Sequence, residues 1–410
     1  MKLMKLLFLL FFSMIFLIAC KENKEEGVRK IQIGFTTAAI DSDPYYIFAK
    51  NFSEIVDKKT NGRIKIEVKG GGQLGQEGEM FTGMQIGTTD MAVMTNAYVS
   101  GYIPAAGLFD LPFIFKNNEE AARILDGQLG TEVLNEYEKF GIKALAYGEG
   151  GFRHLVTLKN QVRKPEDFKG LKIRCMETES YIATYAALGT NAVPMAWSET
   201  ITGLQQGTID GLDIPISVIY ANGFSDIAKD LNLTGHFYSP LIICMSKKVF
   251  DSFDENDKKI LIESAKEAGQ ICRDFNKNSE SKMLEEMKAQ GMEIIDDVDI
   301  QAFQNVLKDL VETFQQELGR LLTPFEIEDL TKTIQEDKTN PDLVKAALRE
   351  AVFNGKANWK YIQAILRNWR REGITTLAQV EAKREEREAF NPQNVTVSDD
   401  FLRAMDLWKN

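Results

Sequence analysis

Histidine and cysteine are scarce in this chain, with two histidines and four cysteines among 410 residues. His154 and His236 lie far apart, and Cys20, Cys175, Cys244 and Cys272 show no C-x-x-C spacing. That pattern argues against a multi-histidine or four-cysteine zinc site. No Walker lysine, no G-x-S-x-G and no H-E-x-x-H occurs, so the standard nucleotide and hydrolase signatures are missing. No cofactor, no metal and no enzyme chemistry is expected. Basic residues fall short of acidic ones, 49 against 60, and the net charge of −11 argues against a uniformly basic nucleic-acid coat protein. Apolar residues at 44% and charged residues at 27% place the chain among globular proteins, and its length suits two or three compact units.

A long apolar run stands at the N-terminus. Lys2 and Lys5 precede Leu6 to Ala19, and Leu17-Ile18-Ala19-Cys20 closes the run. Fourteen helical residues rise about 21 Å, too little for a hydrocarbon core of about 30 Å, so the run reads as a signal segment. The closing tetrapeptide resembles a bacterial lipobox. The resemblance implies export, cleavage before Cys20 and acylation there, leaving the chain lipid-anchored on the outer face of the cell membrane. Residues 21–29 then form a tether, and the three remaining cysteines, an odd number, exclude a fully paired disulfide framework.

From Lys30 onward, strand and helix patterns alternate. Ile31, Ile33 and Phe35 alternate, Phe48, Phe52, Ile55 and Val56 share a helical face, and Ile64, Ile66 and Val68 alternate again. Strands are predicted at Met91–Met94, Lys143–Gly148, Lys172–Arg174, Asn191–Pro194 and Leu241–Ser246, with helices at Ser180–Leu188 and Trp197–Gln206, an α/β class. A helix of about 35 residues begins at Asp254 and ends near Gln290-Gly291. After Val311 the texture becomes all-helical. Thr323-Pro324-Phe325-Glu326 forms a capping box, Asn340-Pro341 opens a helix that Asn354-Gly355 closes, and Asn358 opens another that Gly373 ends.

Gly70-Gly71-Gly72-Gln73-Leu74-Gly75 satisfies G-x-G-x-x-G, but Asp90 precedes a strand where a dinucleotide site needs an acid at a strand's end. The reading preferred here is a tight turn whose backbone amides face a cleft.

Gly151-Phe152-Arg153, Lys164-Pro165-Glu166-Asp167-Phe168-Lys169-Gly170-Leu171-Lys172-Ile173-Arg174, Pro194-Met195-Ala196-Trp197-Ser198-Glu199 and Gly207-Thr208-Ile209-Asp210-Gly211 follow in order. With Asp43-Pro44-Tyr45, Gln73-Leu74-Gly75 and Asp110-Leu111-Pro112-Phe113, they resemble the solute-binding component of tripartite ATP-independent periplasmic (TRAP) transporters, DctP type. The resemblance covers residues 30–311. It implies a two-lobed periplasmic-binding-protein-like fold with a long bracing helix, a small carboxylate ligand, and delivery to TRAP membrane subunits. It makes Arg174 the clamp on the ligand carboxylate, a planar fork suited to that anion; the competing reading is a surface arginine paired with Glu177 or Glu179. Arg153 becomes a second cleft arginine or a structural ion pair, and Trp197 an aromatic over the ligand or a core residue. Asp213, Glu77, Glu79 and Tyr220 are further candidates. Gly211-Leu212-Asp213-Ile214-Pro215 departs from the family's frequent Gln-Glu-Asn-Pro run, with Ile214 placing hydrocarbon where an amide is common.

The tail resembles a second family. Ala346-Ala347-Leu348-Arg349-Glu350-Ala351, Asn358-Trp359-Lys360-Tyr361-Ile362 and Ile365-Leu366-Arg367-Asn368-Trp369-Arg370-Arg371 are similar to the C-terminal domain of DnaD-type primosomal proteins. A small all-α domain over residues 312–390 and a terminal segment over 391–410 follow. In that family Tyr361, Ile365 and Trp369 form a motif associated with DNA binding; at i, i+4, i+8 they also suit a core stripe. Lys356, Lys360, Arg367, Arg370 and Arg371 stand in a stretch from Ala351 to Arg371 that holds no acid, enough for several phosphate contacts. Export and DNA replication belong to different compartments, so the reading is solute binding as the main function, with a fusion or chimera joined near Val311. A DNA-binding replication module is the alternative.

Overall fold

A computed structural model describes residues 27–306, 339, 341–353 and 359–389. The signal segment, Cys20, the Thr323 capping box, Lys356 and the junction near Val311 lie outside the described residues.

In the first lobe β1 (Arg29–Gly34) leads through α1 (Pro44–Lys59) to β2 (Ile64–Lys69), then α2 (Glu77–Ile86), β3 (Met91–Thr95), α3 (Asn96–Ser100), α4 (Asn118–Leu125) and α5 (Gln128–Glu136). Local chemistry sets these ends. Asp43 caps α1 by accepting from the Tyr45 and Tyr46 amides, and Pro44 follows it at the first helical position. The long strand β4 (Ile142–Thr157) crosses into the second lobe, which holds β5 (Lys172–Cys175), α6 (Glu179–Ala187), β6 (Asn191–Pro194), α7 (Trp197–Gln205), β7 (Gly211–Pro215) and α8 (Ile216–Ala221). A second long strand, β8 (Asp230–Ser246), returns. After α9 (Lys247–Asp251) comes α10 (Glu255–Ala289), and β9 (Glu293–Ile295) joins β8.

The sheet order is β2-β1-β3-β8-β4-β7-β5-β6, with β9 on β8. Each lobe keeps a parallel set, β2-β1-β3 in the first and β7-β5-β6 in the second. The antiparallel pair β4–β8 runs through both, from Ile142 opposite Ser246 to Thr157 opposite Asp230. The strands predicted at Lys143–Gly148 and Leu241–Ser246 are therefore only halves of the real ones. The cause is Gly148-Glu149-Gly150-Gly151, which reads as a loop but continues as strand through a bulge between Glu149 and Gly151. Gly151 sits there at φ 103°, a conformation that favours glycine.

The predicted long helix is present as α10, 35 residues with Asp254 as its N-cap. It braces both lobes. Toward its N-terminus Asp257 takes both terminal nitrogens of Arg63 at 2.7 and 2.9 Å, and toward its C-terminus Glu286 accepts from the Tyr220 hydroxyl at 2.5 Å. Midway, Asn276 donates to the Glu149 carbonyl at 2.7 Å, so the brace is tied to the bulge of β4. Ile33, Phe48, Phe52, Leu241, Leu261 and Ala265 fill the main core between sheet and brace. Cys175, Cys244 and Cys272 are free and buried.

The tail holds α11 (Pro341–Phe353), α12 (Trp359–Arg371) and α13 (Leu377–Ala389); Pro341 starts α11 and Gly373 follows α12 as expected, while Asn340, Asn354-Gly355 and Asn358 lie outside the described residues. They enclose a small core of their own, built on Leu343, Ala347, Leu348, Ile362, Leu366 and Trp369.

At Gly269 the brace packs directly on the sheet: a Cβ there would collide with the Tyr147 carbonyl oxygen. Gly269→Ala is expected to cost about 1–3 kcal/mol through overpacking, lowering the melting temperature in calorimetry by several degrees. An unchanged melting temperature would contradict this seating of the helix.

Candidate functional site

Ends of elements from both lobes converge on a cavity of about 270 Å3. Thr36 and Thr37 follow β1, Glu77 opens α2, Thr95 ends β3 and Tyr98 lies on α3. From the second lobe Arg174 comes from β5, Trp197 from the start of α7, and Ile214 from β7; Arg153 stands in β4 just past its glycine bulge.

Arg153 is committed within the protein. Its Nε donates to Asp213 Oδ2 at 2.7 Å and its Nη2 to the Asp213 carbonyl at 2.5 Å, both residues being buried. Burial works against the charge on Arg153, but Asp213 outweighs it and raises the guanidinium pKa. Burial likewise works against the Asp213 carboxylate, and Arg153 nevertheless holds it below its ordinary range. This is a closed buried ion pair, and removing either partner would strand the other charge.

Arg174 is held differently. Its Nε and Nη2 both donate to the Met195 carbonyl, at 3.0 and 2.7 Å, while Nη1 has the Met176 sulfur at 3.8 Å. Among the described residues no carboxylate pairs with it, so the alternative pairing with Glu177 is not formed; the Glu179 side chain lies outside the described residues. Burial lowers its pKa, and the like charge of Arg153 lowers it further. A buried guanidinium whose partner is only a carbonyl is a ready receptor for one anion.

Glu77 lines the same cavity and accepts from the Thr95 amide at 2.6 Å. Burial pushes its carboxyl up to about 7, against the opposing pull of Thr95, Arg174 and Arg153. Glu79 also lines the cavity, but its Oε2 accepts from the Gln76 amide at 2.8 Å and so caps α2. Trp197 serves both readings: it faces the cavity and its ring lies 6.1 Å from that of Phe224.

Several expectations need correction. Asp213 does not line the cavity; it stands behind Arg153 and holds that side chain in place. Tyr220 is spent on Glu286 of the brace and does not reach the cavity. The glycine turn does not present its amides to a cleft, because Gly71 donates to the Thr37 carbonyl at 2.7 Å and Gly72 to the Phe35 carbonyl at 3.0 Å. In the tail Ile365 and Trp369 are buried at 7% and 5% exposure, in contact with the small core, so they cannot stack on bases. Tyr361 is half-buried against the same core, and Lys360, Arg367, Arg370 and Arg371 are exposed.

The sequence reading missed Thr36, Thr37, Thr95, Tyr98, Met176 and Val218. The usable signal was topological: ligands in α/β folds sit beyond the carboxyl ends of the parallel strands, where Thr36, Thr37 and Thr95 stand.

The comparisons with known proteins fall on the same two parts of the chain. The family model described as bacterial extracellular solute-binding protein, family 7 (DctP) matches residues 35–317, and one described as replication initiation and membrane attachment matches residues 311–384. A solute-binding protein of Verminephrobacter eiseniae is 36% identical over 269 residues, 66% of this chain and 80% of the relative. The 2,3-diketo-L-gulonate-binding periplasmic protein YiaO of Escherichia coli is 34% identical over 281 residues, 68% of this chain and 85% of its own. Among solved structures, a TRAP periplasmic solute-binding protein of Polaromonas bound to D-erythronate superposes with a TM-score of 0.68 at 32% identity, covering 75% of this chain and 99% of that one. A Bordetella counterpart, its density assigned as pantoate, gives 0.67 at 31%, covering 78% and 98%. The chain therefore belongs to the bacterial extracellular solute-binding proteins of family 7, the DctP family of TRAP transporters, and carries beyond that domain a tail matching a replication-initiation family.

Proposed function

We propose that this chain is an extracytoplasmic, lipid-anchored solute-binding protein that captures a small hydroxylated organic acid and presents it to TRAP membrane subunits. The observation that carries the reading is Arg174: buried on the wall of the interlobe cavity, it has a carbonyl and a thioether for partners and no carboxylate. The ligand carboxylate fills that position. Glu77, Thr95 and Tyr98 opposite take its hydroxyl groups, as the sugar-acid and hydroxy-acid ligands of the related structures suggest. The lobes close about the β4–β8 pair and the membrane subunits read the closed form, a hinge response driven by the ligand's preference for that form. Cys20, acylated after cleavage, holds the protein at the membrane.

A second reading concerns the tail. Lys360, Arg367 and Arg371 recur at seven- and four-residue spacing on α12, opposite the buried Ile362, Ile365, Leu366 and Trp369, and form a cationic stripe fit for phosphates. DNA is the partner this stripe and the family match support. The full chain is expected to retard duplex DNA at low salt. The double variant Arg367→Ala/Arg371→Ala should reduce the slope of log affinity against log salt by about 2. No binding at low salt removes this reading.

For the main reading, Arg174→Ala is expected to leave a carboxylate buried without a partner and to cost about 3–5 kcal/mol of affinity for D-erythronate in calorimetry. Unchanged affinity would sink the clamp. Glu77 gives a pH signature. Folded, it keeps its proton up to about pH 7, whereas the unfolded chain releases it in the ordinary carboxylate range. The folded state binds the extra proton in that window, so this contribution to stability is lost as pH rises through about 7. Glu77→Gln should therefore melt higher than the parent at pH 8 and draw level with it at about pH 4, below the ordinary glutamate value. A difference that does not change with pH would contradict the buried carboxyl.

A further inference from the structure

The cavity has two unlike walls. The first lobe contributes oxygen: the hydroxyls of Thr37, Thr95 and Tyr98 and the carboxylate of Glu77. Around Arg174 the second lobe contributes Met176, Ile214, Pro215 and Val218, four side chains without a hydroxyl, amide or charge. These positions are rigid. Ile214 and Val218 are each 2% exposed and belong to the main core, and Ile214 pairs with His154 in the β4–β7 ladder. The stretch of wall formed by Ile214, Pro215 and Val218 therefore offers a ligand no hydrogen bond from a side chain, the polar groups of this lobe being those of Arg174, Arg153, Glu177 and the Trp197 indole.

Charge narrows the choice further. Arg153 is neutralised by Asp213, which leaves Arg174 as the cavity's open cation, while Glu77, Glu79 and Glu177 all border the space. One ligand carboxylate finds a partner, and a second would meet acidic side chains and no further unpaired cation among the lining residues. A ligand hydroxyl aimed at Ile214 would lose water and gain no hydrogen bond, whereas a methyl group there gains by burial.

Resting on the carboxylate-binding reading above, we infer that the site selects a short hydroxymonocarboxylate with a hydrocarbon edge. Its hydroxyls face Glu77 and Thr95, and its methyl or methylene groups face Ile214 and Val218. Ile214 is the residue that sets this preference over an acid hydroxylated on every carbon.

Calorimetry on the full chain with three probes tests it: pantoate, which carries two methyl groups on a four-carbon hydroxy acid; D-erythronate, hydroxylated throughout the same length; and succinate, a dicarboxylate. Pantoate is expected to bind at least tenfold more tightly than D-erythronate, and succinate more weakly than either. Ile214→Asn should narrow or reverse the pantoate-to-erythronate ratio, and Ile214→Thr, closer in shape, should move it in the same direction. Equal or tighter binding of D-erythronate by the parent overturns the inference whether or not the variants fold. So does an unchanged ratio in folded variants. Binding of D-erythronate over pantoate leaves the carboxylate reading standing; failure of all three probes to bind sinks both.

Discussion

The pairing of β4 with β8 is the constraint on which the rest of the molecule depends. These strands pass through both lobes as one antiparallel ladder, so neither lobe's sheet is complete without them. The ladder shifts register between Glu149 and Gly151 and again between Arg153 and Leu155, and the site begins between those two irregularities. Bulges bend and twist the strand that carries them, which turns Arg153 toward the cleft. The same stretch is anchored from behind. The Glu149 carboxylate accepts from Tyr238 and Asn118, and its carbonyl accepts from Asn276 of α10. Interlobe ladder, brace and cavity-lining arginine thus share a few consecutive positions.

Around that stretch the buried charges are arranged so that Arg174 has no carboxylate partner among the described residues. Arg174 feels the like charge of Arg153, and Asp213 attracts both guanidiniums but hydrogen-bonds only to Arg153. Arg174 is oriented by the Met195 carbonyl, a dipole that positions the fork without cancelling its charge. A protein that closed both arginines with carboxylates would have no reason to bind an anion. The pair Arg153–Asp213 instead gives a rigid backing, and under the proposed function a ligand carboxylate would supply the charge that Arg174 lacks.

The tail follows a separate logic. Its described helices bury their own apolar stripe and turn cations outward, and its family match begins at residue 311, inside the last residues of the solute-binding match. The two matches point to different compartments, since the solute-binding family is extracellular or periplasmic and a replication family works on DNA inside the cell. Joining of two coding units near this overlap accounts for both, and an uninterrupted native transcript across residues 309–320 would remove the idea of an artefact.

Much of this was legible from residues alone. Alternation at Ile31 and Ile33, the Asp43-Pro44 cap, the uninterrupted run after Asp254 and the tail's Pro341 and Gly373 punctuation are local signals, and local signals survive into the fold because capping and burial periodicity act over a few residues. The family resemblance offered Arg174 as a cleft residue and Arg153 and Trp197 as cleft or structural residues, with Glu77 a further candidate; the structure places all four on the cavity wall, with Arg153 also in an ion pair and Trp197 also against Phe224. What no stretch of sequence could decide was partnership. Whether Asp213 faces a ligand or an arginine, whether Tyr220 reaches the cleft or the brace, and whether Ile365 and Trp369 meet bases or each other's neighbours depends on residues brought together from distant elements. So does the continuity of β4 through its glycines, which is set by a partner strand some ninety residues away. Hydrogen-bond and charge pairing across such distances is a property of the closed packing, and only the tertiary structure holds it.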